Sequence, residues 1–63
     1  MTYRIEVDRI GIPRGIYAHN EHVELKREVI AYVQNIEDGF YITKIVKQYK
    51  DGRGVDVTDK FLI

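Results

Sequence analysis

The segment from residue 39 to residue 63 constrains this fold most, because two β-prone runs flank an Asp-Gly turn signal there. Two such runs around Asp-Gly are the strongest short-range indication of a β-hairpin. We predict a four-residue loop from Asp51 to Gly54, with Lys50 opposite Val55. The hairpin fixes one piece of architecture in a chain that carries few chemical motifs.

Alternation along this hairpin assigns its side chains to two faces, and a one-residue slip would exchange them. The predicted pairing extends to Ile42 opposite Ile63. The predicted core face then holds Phe40, Ile42, Val46, Val57, Phe61 and Ile63. The opposite face carries Tyr41, Thr43, Ile45, Lys47 and Tyr49 beside Asp56, Thr58 and Lys60.

The N-terminal part predicts a strand followed by an apolar loop. Residues 2–8 alternate between apolar and charged side chains, which indicates a half-buried strand. Residues 10–17 contain two Gly and the only Pro, which favours a loop. Ile12, Ile16 and Tyr17 make this loop unusually apolar, so they must either pack under the domain or face a partner.

Residues 21–36 fit two patterns. A helix places Leu25, Val29, Tyr32, Val33 and Ile36 on one face, with Asn20 as N-cap. A strand is the alternative, because much of the segment also alternates, with a break at Arg27. The length without Gly or Pro favours the helix.

These elements predict a small single domain spanning residues 1–63 and belonging to the α+β class. Its order is β-α-β-β, with a three-stranded antiparallel sheet and one helix on one face; an all-β meander is the alternative. One helix covers only one side of such a sheet. The other side must meet water, a second copy of the chain or another partner.

Composition narrows the function. The chain has ten acidic and ten basic residues and no net charge, which argues against a general nucleic-acid binder. It lacks Cys, so disulfides and thiolate metal sites are excluded. The absence of a signal peptide or membrane-span pattern predicts a cytoplasmic protein with no membrane association. The small size leaves a thin stability margin, which favours a homodimer.

The predicted open face of the sheet is the first candidate binding surface. Tyr41, Ile45 and Tyr49 recur there with Lys47 between them, and Tyr17 from the loop extends the set. Tyr is enriched at binding hot spots because it combines apolar area with a polar tip. The simpler interpretation is that Tyr and Thr favour strands and that a loop packs Ile45.

A basic set supports a second candidate function. Lys44, Lys47, Lys50 and Arg53 lie among tyrosines and would suit a nucleic-acid backbone with bases stacked on the rings. Charged side chains on an edge strand also prevent aggregation, which explains the same residues without a ligand. We therefore expect nucleic-acid binding or transcription regulation only as the alternative function.

Catalytic and metal-binding patterns are weak. His19, His22 and Glu24 are the only cluster with ligand-like spacing, and a closed zinc site needs four ligands. The acidic pairs, Glu37 with Asp38 and Asp56 with Asp59, lie in predicted turns or exposed positions. The chain also lacks Ser and Cys nucleophiles. We predict no enzyme activity, no metal and no cofactor.

The C-terminal part, from Glu37-Asp-Gly-Phe-Tyr-Ile-Thr-Lys-Ile through Tyr-Lys-Asp-Gly-Arg-Gly-Val-Asp-Val-Thr-Asp-Lys, resembles the ends of short uncharacterised proteins of Bacillus-type bacteria and their phages. The resemblance covers less than half of the chain. It implies a phage or prophage accessory protein that inhibits a host protein, for example a defence enzyme, by stoichiometric binding. It assigns no functional residue.

Overall fold

The computed structural model describes residues 1–62. Its elements are β1 (Thr2–Arg9), β2 (His19–Val23), α1 (Lys26–Gln34), β3 (Phe40–Gln48), β4 (Gly54–Asp56) and α2 (Thr58–Phe61). The strands form one antiparallel sheet in the order β2-β1-β3-β4. The described part of the chain therefore combines an antiparallel sheet with helices, as the α+β prediction requires. The finer prediction is wrong, because residues 1–62 form four strands rather than three and two short helices rather than one.

The segment predicted as one helix divides into a strand and a helix. Residues 19–23 pair with β1 from Tyr3 opposite Val23 to Val7 opposite His19, so Asn20 lies inside β2 and is not a helix cap. Helix α1 begins only after Leu25, whose N–H donates to the Glu28 carboxylate at 3.0 Å. A side chain that satisfies a free N–H at this position is a normal helix start.

A β-bulge in β3 decides which of its side chains face the helices. Glu6 pairs with Lys44 but Val7 pairs with Ile42, so Thr43 is an extra residue on β3. The Thr43 hydroxyl donates to the Glu6 carbonyl at 3.1 Å. Because an extra residue shifts the alternation by one, Ile42 and Ile45 lie on the same face.

The core lies between this face of the sheet and the two helices. Its buried residues are Tyr3, Ile5, Val7, Val29, Ile45 and Val57. The predicted core residues Phe40, Ile42 and Phe61 pack against it half-buried, and the Phe61 ring meets Tyr3 edge-on at 6.0 Å between centroids. Val46, predicted on this face, lies instead on the other side of the sheet opposite Arg4.

The C-terminal hairpin is present, but its register and length differ from the prediction. Lys47, not Lys50, lies opposite Val55, and the connecting segment spans residues 49–53. Strand β4 has three residues, and the predicted continuation through Phe61 is a helical turn. The predicted pairing of Ile42 with Ile63 involves a residue outside the described part of the chain.

The hydrogen bonds of Thr58 explain why β4 ends early. The Asp56 carboxylate accepts the Thr58 N–H at 2.9 Å and the Thr58 hydroxyl at 2.6 Å. Such an Asx turn redirects the backbone away from a strand. The same Thr58 oxygen accepts the Ile45 N–H at 2.9 Å, so it takes the place of a strand partner for Ile45.

We expect an acid-dependent contribution of Asp56 to stability. The side-chain hydrogen bond from Thr58, followed by the bond from its backbone N–H, lowers the pKa of the Asp56 carboxyl below its usual 3.8. A carboxyl whose folded pKa is lowered stabilises the fold above its unfolded pKa and loses this effect as pH falls through the folded value. Urea unfolding between pH 5 and pH 2 should therefore show a steeper loss of stability for the native chain than for Asp56→Asn. Identical pH profiles for the two proteins would contradict this role.

The second side of the sheet is polar. Arg4, Glu6 and Lys44 project there, and Arg4 forms an ion pair with Glu6 at 3.1 Å. Both helices pack on the other side. The polar side is not open throughout, because Val46 and Asp8 are buried there. Within residues 1–62, no helix has both the length and the apolar character needed to cross a membrane.

Candidate functional site

The connection between β1 and β2 is an apolar loop held in place by a buried carboxylate. We call residues 10–18 the apolar loop. Asp8, only 5% exposed, accepts the Ala18 N–H at 3.0 Å and the Gly15 N–H at 3.3 Å. Ile10 N–H donates to the Gly39 carbonyl at 2.8 Å, which attaches the start of the loop to the turn before β3. Hydrogen bonds to a carboxylate are stronger than neutral ones, so the loop is fixed rather than free.

Backbone geometry also restricts the apolar loop. Gly15 has φ of +90°, a conformation that is easy for Gly and costly for other residues. Ala18 has φ of +33°, which is uncommon for a residue with a Cβ atom. The bond from its N–H to Asp8 compensates for this strain. Strained residues held by surrounding contacts are frequent where a loop serves a function.

The fixed loop presents large apolar side chains to the outside. Ile16 is 73% exposed and Ile10 is 64% exposed, while Tyr17 is also exposed and Ile12 is half-buried. Of the two outcomes predicted for this loop, Ile16 therefore faces outward, whereas Tyr17 is partly exposed and also packs its ring against Phe40. Because the exposed parts of these side chains remain in contact with water, they contribute no hydrophobic free energy to folding. Because Ile10, Ile16 and Tyr17 share one ordered loop, this loop is a candidate interaction site.

An aromatic cleft adjoins the apolar loop at the end of the sheet. Its volume is about 290 Å³, and it is lined by Val7, Tyr17, His19, Tyr32, Asn35, Ile36, Glu37 and Phe40. The Tyr17 and Phe40 rings are 5.4 Å apart between centroids and inclined at 56°. Tyr32 and Ile36 come from the C-terminal end of α1 and the turn that follows it. Concave apolar surfaces with a few polar groups are the usual form of a binding site.

The electrostatics of the aromatic cleft are negative. Burial raises the pKa of the Tyr32 phenol, and the charges of Glu21 and Glu37 raise it further, with Tyr17 also contributing. Negative groups disfavour the phenolate, which explains the direction of these effects. His19 Nε2 lies 3.1 Å from Glu21 Oε2. The Glu21 carboxylate therefore forms an ion pair with His19 when the imidazole is protonated.

The predicted partner-binding residues do not form one surface. Tyr17 lies on the apolar loop beside the aromatic cleft, and Tyr41 lies half-buried on the polar face of the sheet. Ile45 is 0% exposed in the core, so its predicted place on an open face is wrong. Lys47 lies on the helix side with its Nζ over the Tyr3 and Tyr49 rings, and Tyr49 follows β3 in the hairpin connection.

The predicted basic set is likewise not one surface. Lys44 projects from the polar face of the sheet, whereas Lys47 lies on the opposite face. Arg53 is held by Asp51 at 2.9 Å and stacks over Tyr49 at 5.0 Å, and Lys50 lies in the same hairpin connection. A nucleic-acid backbone requires several free cations along one path. Lys47 and Arg53 both lie over the Tyr49 ring with Lys50 next to it in the chain, whereas Lys44 is separated from these three residues.

The two histidines with ligand-like spacing in the sequence, His19 and His22, lie on opposite faces of the sheet. Both lie on β2, three residues apart, and successive side chains of a strand point to opposite faces. His19 therefore shares the side of Val7, while His22 shares the side of Arg4. Within residues 1–62, no three His, Asp or Glu side chains come together where a metal ion could bind.

Sequence reasoning missed part of this site. It identified the apolar loop, but it assigned Tyr32 and Phe40 to the core and did not include Ile10. The aromatic cleft exists because the end of α1 lies beside the start of β3, which depends on tertiary packing. The missed signal was the presence of Ile10 beside Gly11, where no strand or helix pattern explains it.

Comparison with family models, with curated proteins and with solved structures gave no match to this chain.

Proposed function

We propose that this chain is a small non-enzymatic protein-binding module that docks through the apolar loop and the adjoining aromatic cleft. The observation that carries the proposal is the exposure of Ile16 on a loop fixed by Asp8. A fixed loop loses little conformational entropy on binding, so its apolar contacts contribute more of their free energy to affinity. The binding surface proposed here differs from the sheet face that the sequence predicted, although Tyr17 belongs to both.

The resemblance of the C-terminal part to short Bacillus and phage proteins suggests the kind of partner. A phage-encoded chain would bind a host protein, such as a defence enzyme, and inhibit it by covering its surface in a stoichiometric complex. The absence of Cys agrees with a reducing compartment, so the cytoplasm is the proposed place of action. A homodimer formed through the same loop is the other form that docking would take.

The test compares two substitutions at exposed apolar positions. Ile16→Asp places a charge at the centre of the proposed surface and should reduce partner capture by at least tenfold, because burying an unpaired charge is costly. Leu25→Asp is the matched control: Leu25 is 46% exposed and precedes α1, at the opposite end of that helix from Tyr32. Asp is also favoured at a helix N-cap, so this variant should stay folded.

The measurement uses tagged full-length chain in a bacterial lysate, followed by mass spectrometry and light scattering. A protein captured by the native chain and by Leu25→Asp but lost with Ile16→Asp supports docking to a foreign partner. A dimer that becomes a monomer only with Ile16→Asp supports self-association. If capture and oligomeric state are the same for all three proteins, the apolar loop is not the docking surface.

A further inference from the structure

Three aromatic side chains line the aromatic cleft. The rings of Tyr17 and Phe40 are inclined to one another at 5.4 Å between centroids, and Tyr32 contributes a third ring from α1. A cation within about 6 Å of a ring centroid is attracted by the negative face of the ring. Two or three rings around one cavity combine such attractions on a single guest.

Two carboxylates at the cleft also favour a positive guest. Glu37 lines the cavity, and Glu21 is close enough to act on Tyr32. Within residues 1–62, no Lys or Arg lines the cleft, and its one basic group, His19, is adjacent to Glu21. An apolar guest would remove water from Glu37 without replacing its hydrogen bonds. A cationic guest would pair with it instead.

The chain itself contains an example of this contact. The Arg9 guanidinium lies over the Phe40 ring at 5.7 Å, although Arg9 does not line the cleft. Arg is suited to such a position because its planar group stacks on rings and is weakly hydrated. The cleft offers comparable rings together with a carboxylate and a cavity of side-chain size.

We infer that the aromatic cleft binds one cationic side chain, Arg or Lys, of the protein that docks on the apolar loop. This inference rests on the proposed function and adds the chemistry of the partner's contact residue. The apolar loop provides the hydrophobic part of the interface. The aromatic cleft selects partners that present a cation next to an apolar patch.

A pair of small probes of equal shape tests this inference without the partner. N-propylguanidinium carries the planar cation of Arg, and N-propylurea is its neutral counterpart. In NMR titrations of the full-length chain, the guanidinium should shift the ring signals of Tyr17, Tyr32 and Phe40. We expect its affinity to exceed that of the urea by about tenfold, as two favourable ring contacts and one carboxylate would give.

Three variants locate the interaction. Glu37→Gln should weaken guanidinium binding several-fold and leave urea binding unchanged, because it removes charge but keeps shape. Tyr17→Leu should weaken guanidinium binding as well, since it removes one ring from an exposed loop. Tyr41→Leu on the polar face is the control and should change neither titration.

The outcomes distinguish this inference from the proposed function. Equal affinity for both probes, or no shift of the three rings, overturns the cationic site. The same is true if Tyr41→Leu weakens binding as much as Tyr17→Leu. Ile16→Asp tests docking separately, because Ile16 lies outside the cleft lining and the added carboxylate should not weaken the guanidinium titration. If Ile16→Asp lost partner capture while the native chain failed to bind the guanidinium, docking through the apolar loop would be supported. The cationic site in the aromatic cleft would be rejected.

Discussion

Replacing Ile45 with Ala should destabilise the protein by about 2–5 kcal/mol, the usual cost of removing a fully buried Ile side chain. Ile45 is 0% exposed and belongs to the cluster that joins the sheet to α1 and α2. At about 0.05–0.15 kcal/mol per residue, a chain of this length has a total stability of only about 3–9 kcal/mol. A large fraction of Ile45→Ala molecules should therefore be unfolded near physiological temperature.

Thermal and urea unfolding followed by circular dichroism measure this effect. Tyr41→Ala is the control, because Tyr41 is half-buried on the polar face of the sheet. We expect a much smaller shift of the unfolding midpoint for Tyr41→Ala than for Ile45→Ala. If Ile45→Ala kept the native midpoint while partner binding was lost, Ile45 would be a docking residue, as the sequence had suggested.

Ile45 shows why alternation alone cannot define the faces of β3. The pattern of residues 40–49 contains two overlapping sets of apolar positions, one on even and one on odd numbers. The bulge at Thr43 joins part of each set into one buried face. Nothing in the local sequence requires a bulge there, since Thr is an ordinary strand residue. The partner strand β1 determines it, because Ile5 and Val7 together require apolar partners on β3.

Residues 21–36, which fit both a helix and a strand in sequence, contribute to one strand and one helix in the structure. Its first three residues belong to β2, although only Val23 among them is apolar, and its later residues have helical spacing because they form α1. The boundary lies at Leu25 and Glu28, where the carboxylate satisfies the first N–H group. The length of the segment without Gly or Pro favours one helix throughout, but length does not reveal a boundary inside it. A search for an acidic side chain three residues after a strand-like run would have located this boundary.

The wrong prediction that β4 continues through Phe61 also has a local cause. Val57 and Phe61 are apolar and β-prone, so they extend the strand pattern past Asp56. The Asp56-Val-Thr58 sequence is itself a turn signal, because an Asp side chain can accept the N–H two residues later. That signal was present in the sequence and outweighed the strand pattern in the fold. The apolar loop, in contrast, was predictable, since Gly and Pro exclude regular structure there.

Removing the Asp8 carboxylate should release the apolar loop without unfolding the sheet. In Asp8→Ala, the N–H groups of Gly15 and Ala18 lose their acceptor, and the strained φ of Ala18 loses its compensation. Hydrogen bonds to a charged group contribute about 1.5–3 kcal/mol each. The loop would then have to be ordered on binding, and we expect partner affinity to fall by about 10- to 100-fold.

Amide hydrogen exchange shows whether a loss of partner affinity in Asp8→Ala comes from opening of the apolar loop. Asp8→Ala should abolish protection at Gly15 and Ala18 while the amides of Ile5 and Ile45 stay protected, because local opening leaves the core intact. Asp8→Asn keeps an acceptor oxygen and should retain part of both protection and affinity. If Asp8→Ala lost loop protection but bound its partner as tightly as the native chain, a preformed loop would not be needed. Binding would then depend only on the side chains of Ile10, Ile16 and Tyr17, and the role of Asp8 would be confined to stability.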